Sequence, residues 1–260
     1  MDLHILGAEG GELFGYKPAS FLFQEDLLID AGSICSTLRL DALLQIEHVF
    51  LSHTHLDHIK DLGLLADLLT GLHSKPLKIY GTADVLKTLR EHYFNNKIWP
   101  DFTQIPPPPM MPVLELVELE PMVAVHLPGD RSILPIPVHH TVPTCAFLVM
   151  WPGHSFLYSA DTGPTDLLWQ VANQRDDLRG LILDVAFPVR MQMIANLAKH
   201  LTPQTAKEEL RKLKRDIPIY YFHLKPAFYQ EMVDEMAQIL PGMGTILRSG
   251  QELWLGSGPA

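Results

Sequence analysis

Only two cysteines, Cys35 and Cys145, occur in 260 residues. That excludes a disulfide framework, and two isolated thiols ordinarily serve as small buried residues. The N-terminal run Met-Asp-Leu-His-Ile-Leu-Gly lacks a basic n-region, and the most apolar stretch, Leu62 to Leu72, is interrupted by Asp67. Neither a signal peptide nor a membrane span is expected, and the cytoplasm is the default location. No solenoid period, low-complexity tract or long charge block is present, so a single domain over residues 1–260 is expected. Positive charge is also scarce. Lysine and arginine number 20 against 30 aspartates and glutamates, a formal net charge of −10. A polymeric nucleic acid would be repelled unless a local basic patch compensated. A small anionic substrate stays compatible, because bound dications reverse the local potential.

Against these absences stands one dense segment. Ser52-His53-Thr54-His55-Leu56-Asp57-His58 places three imidazoles and a carboxylate directly after the apolar run His48-Val49-Phe50-Leu51 and before an amphipathic stretch. Imidazole and carboxylate suit zinc and other borderline first-row ions. A strand-end loop can splay His53 and His55 toward one ion while Asp57 and His58, turning into a helix, reach a second.

Along the chain, short β-rich runs alternate with helical ones. Leu3 to Leu6, Ser20 to Phe23, Asp26 to Asp30, Glu47 to Leu51 and Leu77 to Tyr80 read as strands, with helices near Thr37 to Leu44, from Asp57 to Leu72, and from a Thr82 cap to about Tyr93. Residues 95–112, containing Trp99, Phe102 and prolines 106 to 109 and 112, can be neither helix nor central strand. A loop of that length is expected to be a lid or a partner surface. Strands resume at Leu114 to Leu119, Val123 to His126, Ile133 to Val138, Cys145 to Trp151, Ser155 to Ser159 and Leu181 to Val185, with helices at Pro203 to Arg215 and Pro226 to Leu240. Residues 256–260 read as a tail. Two strand-rich halves, each ending in helices, imply an α/β sandwich of the αβ/βα type.

More candidate ligands stand where an edge of such a sandwich would collect them. His140, Asp161, Asp184 and His223 each end an apolar run, where burial without a partner would be costly. With the first segment they fill two coordination spheres: His53, His55 and His140 on one ion, Asp57, His58 and His223 on the other, and Asp161 bridging. Strand alternation sends His139 and His140 to opposite faces, and the His-Thr-Val-Pro opening favours His140 as the ligand. Seven oxygen and nitrogen ligands are too many for one tetrahedral site, so two divalent ions are expected, zinc first, with manganese or iron as substitutes.

Through His-x-His-x-Asp-His, the later His140, Asp161 and His223, and the turn Leu28-Ile29-Asp30-Ala31-Gly32, the chain resembles the metallo-β-lactamase superfamily over essentially its whole length. The resemblance implies a four-layer αβ/βα sandwich, the metallo-β-lactamase fold. Within the superfamily it is similar to the phosphodiesterase branch that contains tRNase Z and the class II cyclic-nucleotide phosphodiesterases. In that branch a histidine in a His-x-Thr context serves the phosphate as acid or electrostatic clamp, matched by His200-Leu201-Thr202-Pro203, and a carboxylate supports it, matched in position by Asp184. Flavodiiron proteins resemble the fold but carry glutamate where His55 stands, so His55 favours hydrolysis.

The segment from Glu91 to Phe102, with Tyr158-Ser159-Ala160-Asp161-Thr162-Gly163-Pro164, Ala186-Phe187-Pro188 and His223-Leu224-Lys225-Pro226, looks like the class II cyclic-nucleotide enzymes. A tRNase Z would need a protruding basic arm, and no insertion with a lysine cluster is present. One departure from the class II pattern is Ile59-Lys60-Asp61-Leu62-Gly63 after the histidine segment. The resemblance therefore implies hydrolysis of a 3′,5′-cyclic nucleotide, cAMP or cGMP, to the 5′-monophosphate through a metal-bridging hydroxide. Asp57 would orient the nucleophile, and His200, held by Asp184, would protonate the leaving oxygen. Trp99, Phe102 and Thr202 are the expected substrate contacts, and a homodimer is the expected assembly. The alternatives are a tRNase Z-like enzyme or a hydrolase of a lactone or thioester; the last should ignore loss of His200.

Overall fold

The computed structural model describes residues 2–107 and 109–255; the tail expected at 256–260 lies outside them. The first half carries strands β1 (Asp2–Gly7), β2 (Ser20–Phe23), β3 (Leu27–Ile29), β4 (His48–Phe50), β5 (Leu77–Thr82) and β6 (Leu114–Leu119), with helices α1 (Leu40–Leu43), α2 (Leu56–Ile59), α3 (Leu62–Leu69) and α4 (Ala83–Thr88). The second half carries β7 (Val125–Leu127), β8 (Arg131–Val138), β9 (Thr144–Trp151), β10 (His154–Tyr158), β11 (Leu178–Asp184), β12 (Ile219–Phe222) and β13 (Thr245–Ile246), with α5 (Leu167–Asn173), α6 (Gln192–Ala198), α7 (Pro203–Leu210) and α8 (Tyr229–Ile239). A last strand, β14 (Glu252–Trp254), returns to pair with β1.

Two mixed sheets result, ordered β14-β1-β2-β3-β4-β5-β6 and β7-β8-β9-β10-β11-β12-β13. Read in that order, each has three antiparallel pairings followed by three parallel ones. The layers follow from period-two alternation. Phe21, Phe23, Leu27, Ile29 and Phe50 face inward to meet Phe147, Val149, Phe156, Tyr158 and Phe222 between the sheets. Their alternates, Leu22, Leu28 and Val49, point outward beneath α3, where Leu62, Leu65 and Leu69 cover them. On the other side Leu148, Leu157, Leu181, Leu183 and Tyr221 meet Leu168, Ala206 and Met232 of α5, α7 and α8. This is the expected four-layer αβ/βα sandwich.

Several local expectations are corrected. The helix expected from Asp57 to Leu72 is two, α2 and α3, because Asp61 is diverted at their junction. Its amide donates to the Ala31 carbonyl (2.9 Å), and its carboxylate accepts the Ile34 and Cys35 amides at 2.8 and 3.0 Å. The helix from Thr82 continues beyond α4 as a π turn, Leu89–Tyr93. Helix α7 stops at Leu210, where Asn173 takes over the backbone, accepting from Lys214 N–H and donating to the Lys212 carbonyl. Helices α5 and α6 and strands β13 and β14 were not anticipated.

The loop from 95 to 112 is not an open flap. Phe102 is 3% exposed and packs with Phe94 in the outer core of the first sheet. The Trp99 indole donates to the Gly63 carbonyl (3.0 Å), so the loop braces the start of α3.

Candidate metal centre

Topology selects the edge on which the chemistry assembles. β8 and β10 are each antiparallel to β9, and β11 and β12 are parallel to β10, so all four run the same way. His140, Asp161, Asp184 and His223 leave from, or end, those four strands. In the facing sheet β3 and β4 are parallel and lead to Asp30 and to the His53–His58 segment.

Two groups of side chains converge there. Ligand-capable atoms of His53, His55, His140 and Asp161 lie within 4.8 Å of one another, and so do those of Asp57, His58 and His223. Asp161 stands between the groups. Its Oδ1 is 3.3 Å from His58 Nε2, and its Oδ2 is 3.2 Å from His223 Nε2 and 3.6 Å from His53 Nε2. His55 Nδ1 and His140 Nε2 face each other at 3.2 Å, and Asp57 Oδ2 lies 3.4 Å from His223 Nε2. All seven residues singled out as ligands are thus brought together, and the exposed His139 is not among them.

The rings are aimed by bonds on their far sides, which fix tautomer and direction. His140 Nδ1 donates to the Lys199 carbonyl (3.1 Å), leaving Nε2 turned inward. His58 Nδ1 is held by Asp30 Oδ2 at 2.8 Å. Asp30 also accepts from Ser52 N–H, Ser52 Oγ and the Tyr158 hydroxyl at 2.8, 2.8 and 2.7 Å. Asp30, Ser52 and Tyr158 escaped the sequence reading as site residues. Asp30 could have been found, since it ends an apolar run as Asp161 does, but Tyr158 has no local signal.

Backbone strain marks the same edge. Asp30, Ala160, Lys199 and His223 all adopt left-handed φ between 53° and 73°, each worth about 1–3 kcal/mol of local strain. Gly10 shows why the chain beside His223 is bare: a Cβ there would meet the His223 carbonyl at 2.3 Å and its ring at 2.8 Å.

His53 Nε2, His58 Nε2, Asp161 Oδ1, Asp184 Oδ1 and both ring nitrogens of His223 are buried without hydrogen-bond partners. Such atoms cost free energy unless something satisfies them. Here they are imidazole and carboxylate atoms converging on shared points, a donor set that fits zinc-like divalent ions. Electrostatics agree for His53 and His140; His58 differs, because against the burial that would lower it the Asp161 and Asp30 carboxylates hold its pKa well above the imidazole value. Burial, then the neighbouring His58, drives the His53 pKa well below that of a free imidazole, and burial takes His140 down to about 4, so both are neutral donors. For Asp161 burial opposes ionisation, but His223 and His58 outweigh it and keep it a carboxylate.

Beside this centre lies a third group. His200 Nδ1 bonds Asp184 Oδ2 at 2.8 Å, and His200 Nε2 points back toward Asp161 Oδ2 at 3.9 Å. Burial lowers the His200 pKa, but the Asp184 charge and hydrogen bond raise it above the usual imidazole value on balance.

The three expected substrate contacts are each engaged elsewhere. Phe102 is core, and Trp99 is tied to Gly63. Thr202 is fully buried as the N-cap of α7: its Oγ1 accepts from Thr205 N–H (3.3 Å) and donates to Gln192 Oε1 at 2.6 Å.

Fold, ligand edge and buried orphan atoms together define a metal-hydrolase scaffold. Residues 27–223 match the beta-lactamase superfamily domain, and the chain belongs to that superfamily. It is 27% identical over 210 residues to a probable 3′,5′-cyclic-nucleotide phosphodiesterase of Yersinia pestis, covering 71% of this chain and 59% of that protein's length. It is 26% identical over 273 residues to the 3′,5′-cyclic-nucleotide phosphodiesterase of Aliivibrio fischeri, covering 86% of this chain and 81% of that one. In fold it is similar to unliganded yeast PDE1, with a TM-score of 0.78 at 18% identity over 97% of this chain and 99% of that one.

Proposed function

We propose that the protein is a dinuclear metal-dependent phosphodiesterase that opens a 3′,5′-cyclic nucleotide to its 5′-monophosphate. The observation that carries this reading is the His200–Asp184 pair beside the two ligand groups. A hydrolase of an activated carbonyl has no need of a buried, carboxylate-held imidazole at that point. A phosphodiester does, because its ribose leaving oxygen departs as a strong base. The names of the Yersinia and Aliivibrio relatives support the same substrate class.

His53, His55 and His140 would hold one ion, Asp57, His58 and His223 the other, with Asp161 between them. Bound there, divalent ions supply Lewis-acid charge against the phosphate oxygens and make water acidic enough to yield hydroxide near neutral pH. The remaining steps belong to the protein. Asp57 is partly exposed and can accept a hydrogen bond from the attacking water and align it with phosphorus. The P–O3′ bond breaks as the new P–O bond forms, and the electron pair leaves on O3′. His200, with Nδ1 spent on Asp184, presents Nε2–H to that oxygen and gives up its proton, worth roughly 10²–10⁴-fold. Asp184 keeps the ring oriented and charged.

The test is turnover by zinc-loaded protein of cAMP, cGMP, bis(p-nitrophenyl) phosphate and a lactone, with ion content measured on the same preparation. Two ions per chain and preference for the cyclic nucleotides are expected. Full activity with one ion or none removes the dinuclear reading, and preference for the lactone removes the phosphodiesterase.

A further inference from the structure

Lysines one or two residues from the site histidines differ in what they are already doing. Lys60 is paired with Glu12 at 2.8 Å, and Lys199 donates to the His140 carbonyl at 2.8 Å. Lys225 is different. Among the described residues its Nζ makes no hydrogen bond and has no carboxylate within 4.0 Å; it sits 5.8 Å from the centre of the Phe187 ring.

That position is built. Lys225 follows His223 by two residues, and its backbone amide donates to the Ala186 carbonyl (3.3 Å), stitching the turn after β12 to the turn after β11. Phe187 lies half-buried between Lys225 and the site, its ring edge-on to His200 at 5.7 Å. A cation over an aromatic face is held electrostatically without losing its charge. The ring therefore fixes the ammonium beside the acid while leaving its N–H donors unspent.

An ammonium with open donors at the rim of a phosphate-cleaving centre has one evident use. The chain carries a net −10, so a phosphate approaching it meets long-range repulsion that only local positive charge can reverse. Phe187 and Lys225, which stand in the motifs Ala186-Phe187-Pro188 and His223-Leu224-Lys225-Pro226, have no role in the chemistry above. We propose that Lys225, positioned by Phe187, is the residue that captures a non-bridging phosphate oxygen of the substrate. This rests on the phosphodiesterase reading for its substrate class, but the capture of phosphate itself does not.

The experiment compares zinc-loaded wild type with Lys225→Met, Lys225→Arg and Phe187→Leu, each checked for ion content. Two quantities are read: KM and kcat for cAMP, and the dissociation constant of inorganic phosphate by calorimetry. Lys225→Met should raise KM and the phosphate constant together, each roughly tenfold, as expected for loss of one charge contact at a partly solvated rim. kcat should fall less than threefold. Lys225→Arg should recover most of the loss, and Phe187→Leu should show a weaker form of the Met phenotype. Weaker salt dependence of kcat/KM in Lys225→Met would also support capture. Unchanged phosphate affinity in Lys225→Met overturns the proposal even if cAMP is hydrolysed, and so does a loss confined to kcat. If wild type turns over no phosphodiester yet loses phosphate affinity with Lys225, the anion site stands and the phosphodiesterase reading falls.

Discussion

A histidine that must deliver a proton has to reach the reaction already carrying it, and burial alone would strip the charge from His200. The Asp184 carboxylate at 2.8 Å outweighs that penalty and raises the pKa above the free-imidazole value. The sign follows: the protonated acid is fully present below the ordinary imidazole pKa and is lost as pH rises through the elevated one. Asp184→Asn should therefore move the alkaline limb of kcat to lower pH. His200→Ala should keep its metal and fold while losing roughly 10²-fold or more with a ribose leaving group and much less with p-nitrophenolate. Equal losses on both substrates would show that His200 does not act on the leaving oxygen. At this scale the candidate ligands could be picked out because His53, His55, Asp57 and His58 crowd one segment and His140, Asp161 and His223 each end an apolar run. Asp30 carried the same signal and was passed over, whereas Tyr158 was not legible, since it reaches Asp30 from 128 residues away and no local pattern records that pairing.

Among the elements, the segment from 95 to 112, expected to be a lid or a partner surface, is anchored as a brace: Phe102 in the core, Trp99 on Gly63, and the Leu114 and Val113 amides returning to the Phe102 and Ile105 carbonyls at 3.1 and 2.8 Å, while Ile98, Met110 and Met111 stay exposed. Phe102→Ala should accordingly cost about 3–5 kcal/mol of stability, the range for emptying a buried aromatic site, with KM for substrate unchanged. Urea unfolding and steady-state kinetics on one preparation decide this; intact stability with raised KM would restore the lid. Composition could not separate the two cases, because a loop rich in proline and aromatics reads alike whether it covers a substrate or a helix. The break between α2 and α3 was hidden for a related reason: the partners of Asp61, Ala31, Ile34 and Cys35, lie about thirty residues earlier in the chain.

For the molecule as a whole, the sandwich was readable from two strand-rich halves that each end in helices, and its four layers from the family resemblance. The joint at the far edge was not. Arg131, at the start of β8, forks onto Asp26 in the β2–β3 turn with two bonds of 2.7 Å and reaches Gln24 at 2.9 Å, tying one sheet to the other at the end away from the metal centre. Burial opposes ionisation of Asp26, but Arg131 prevails and its pKa is lowered. A lowered carboxylate pKa gives stability that is present above the unfolded value of about 3.9 and lost as pH falls through the folded one. Asp26→Asn should thus lower the melting temperature at pH 7, with the gap to wild type closing in acid below about pH 4. A gap that persists in acid would assign the loss to packing.

The edge opposite that joint divides its donors in a telling way. His53, His55, Asp57 and His58 come from the first half of the chain, and His140, Asp161 and His223 from the second, so each ligand group contains members of both halves. On the proposed assignment, each half alone carries only part of either ligand set. Ions bound in that way would stay only while the halves are in register, which makes the centre a coincidence detector for docking. In a urea titration followed with a zinc-sensitive dye, both ions should appear in solution together, at the denaturant concentration where near-ultraviolet dichroism is lost. Release of one ion well before that point would mean that one half can hold it unaided.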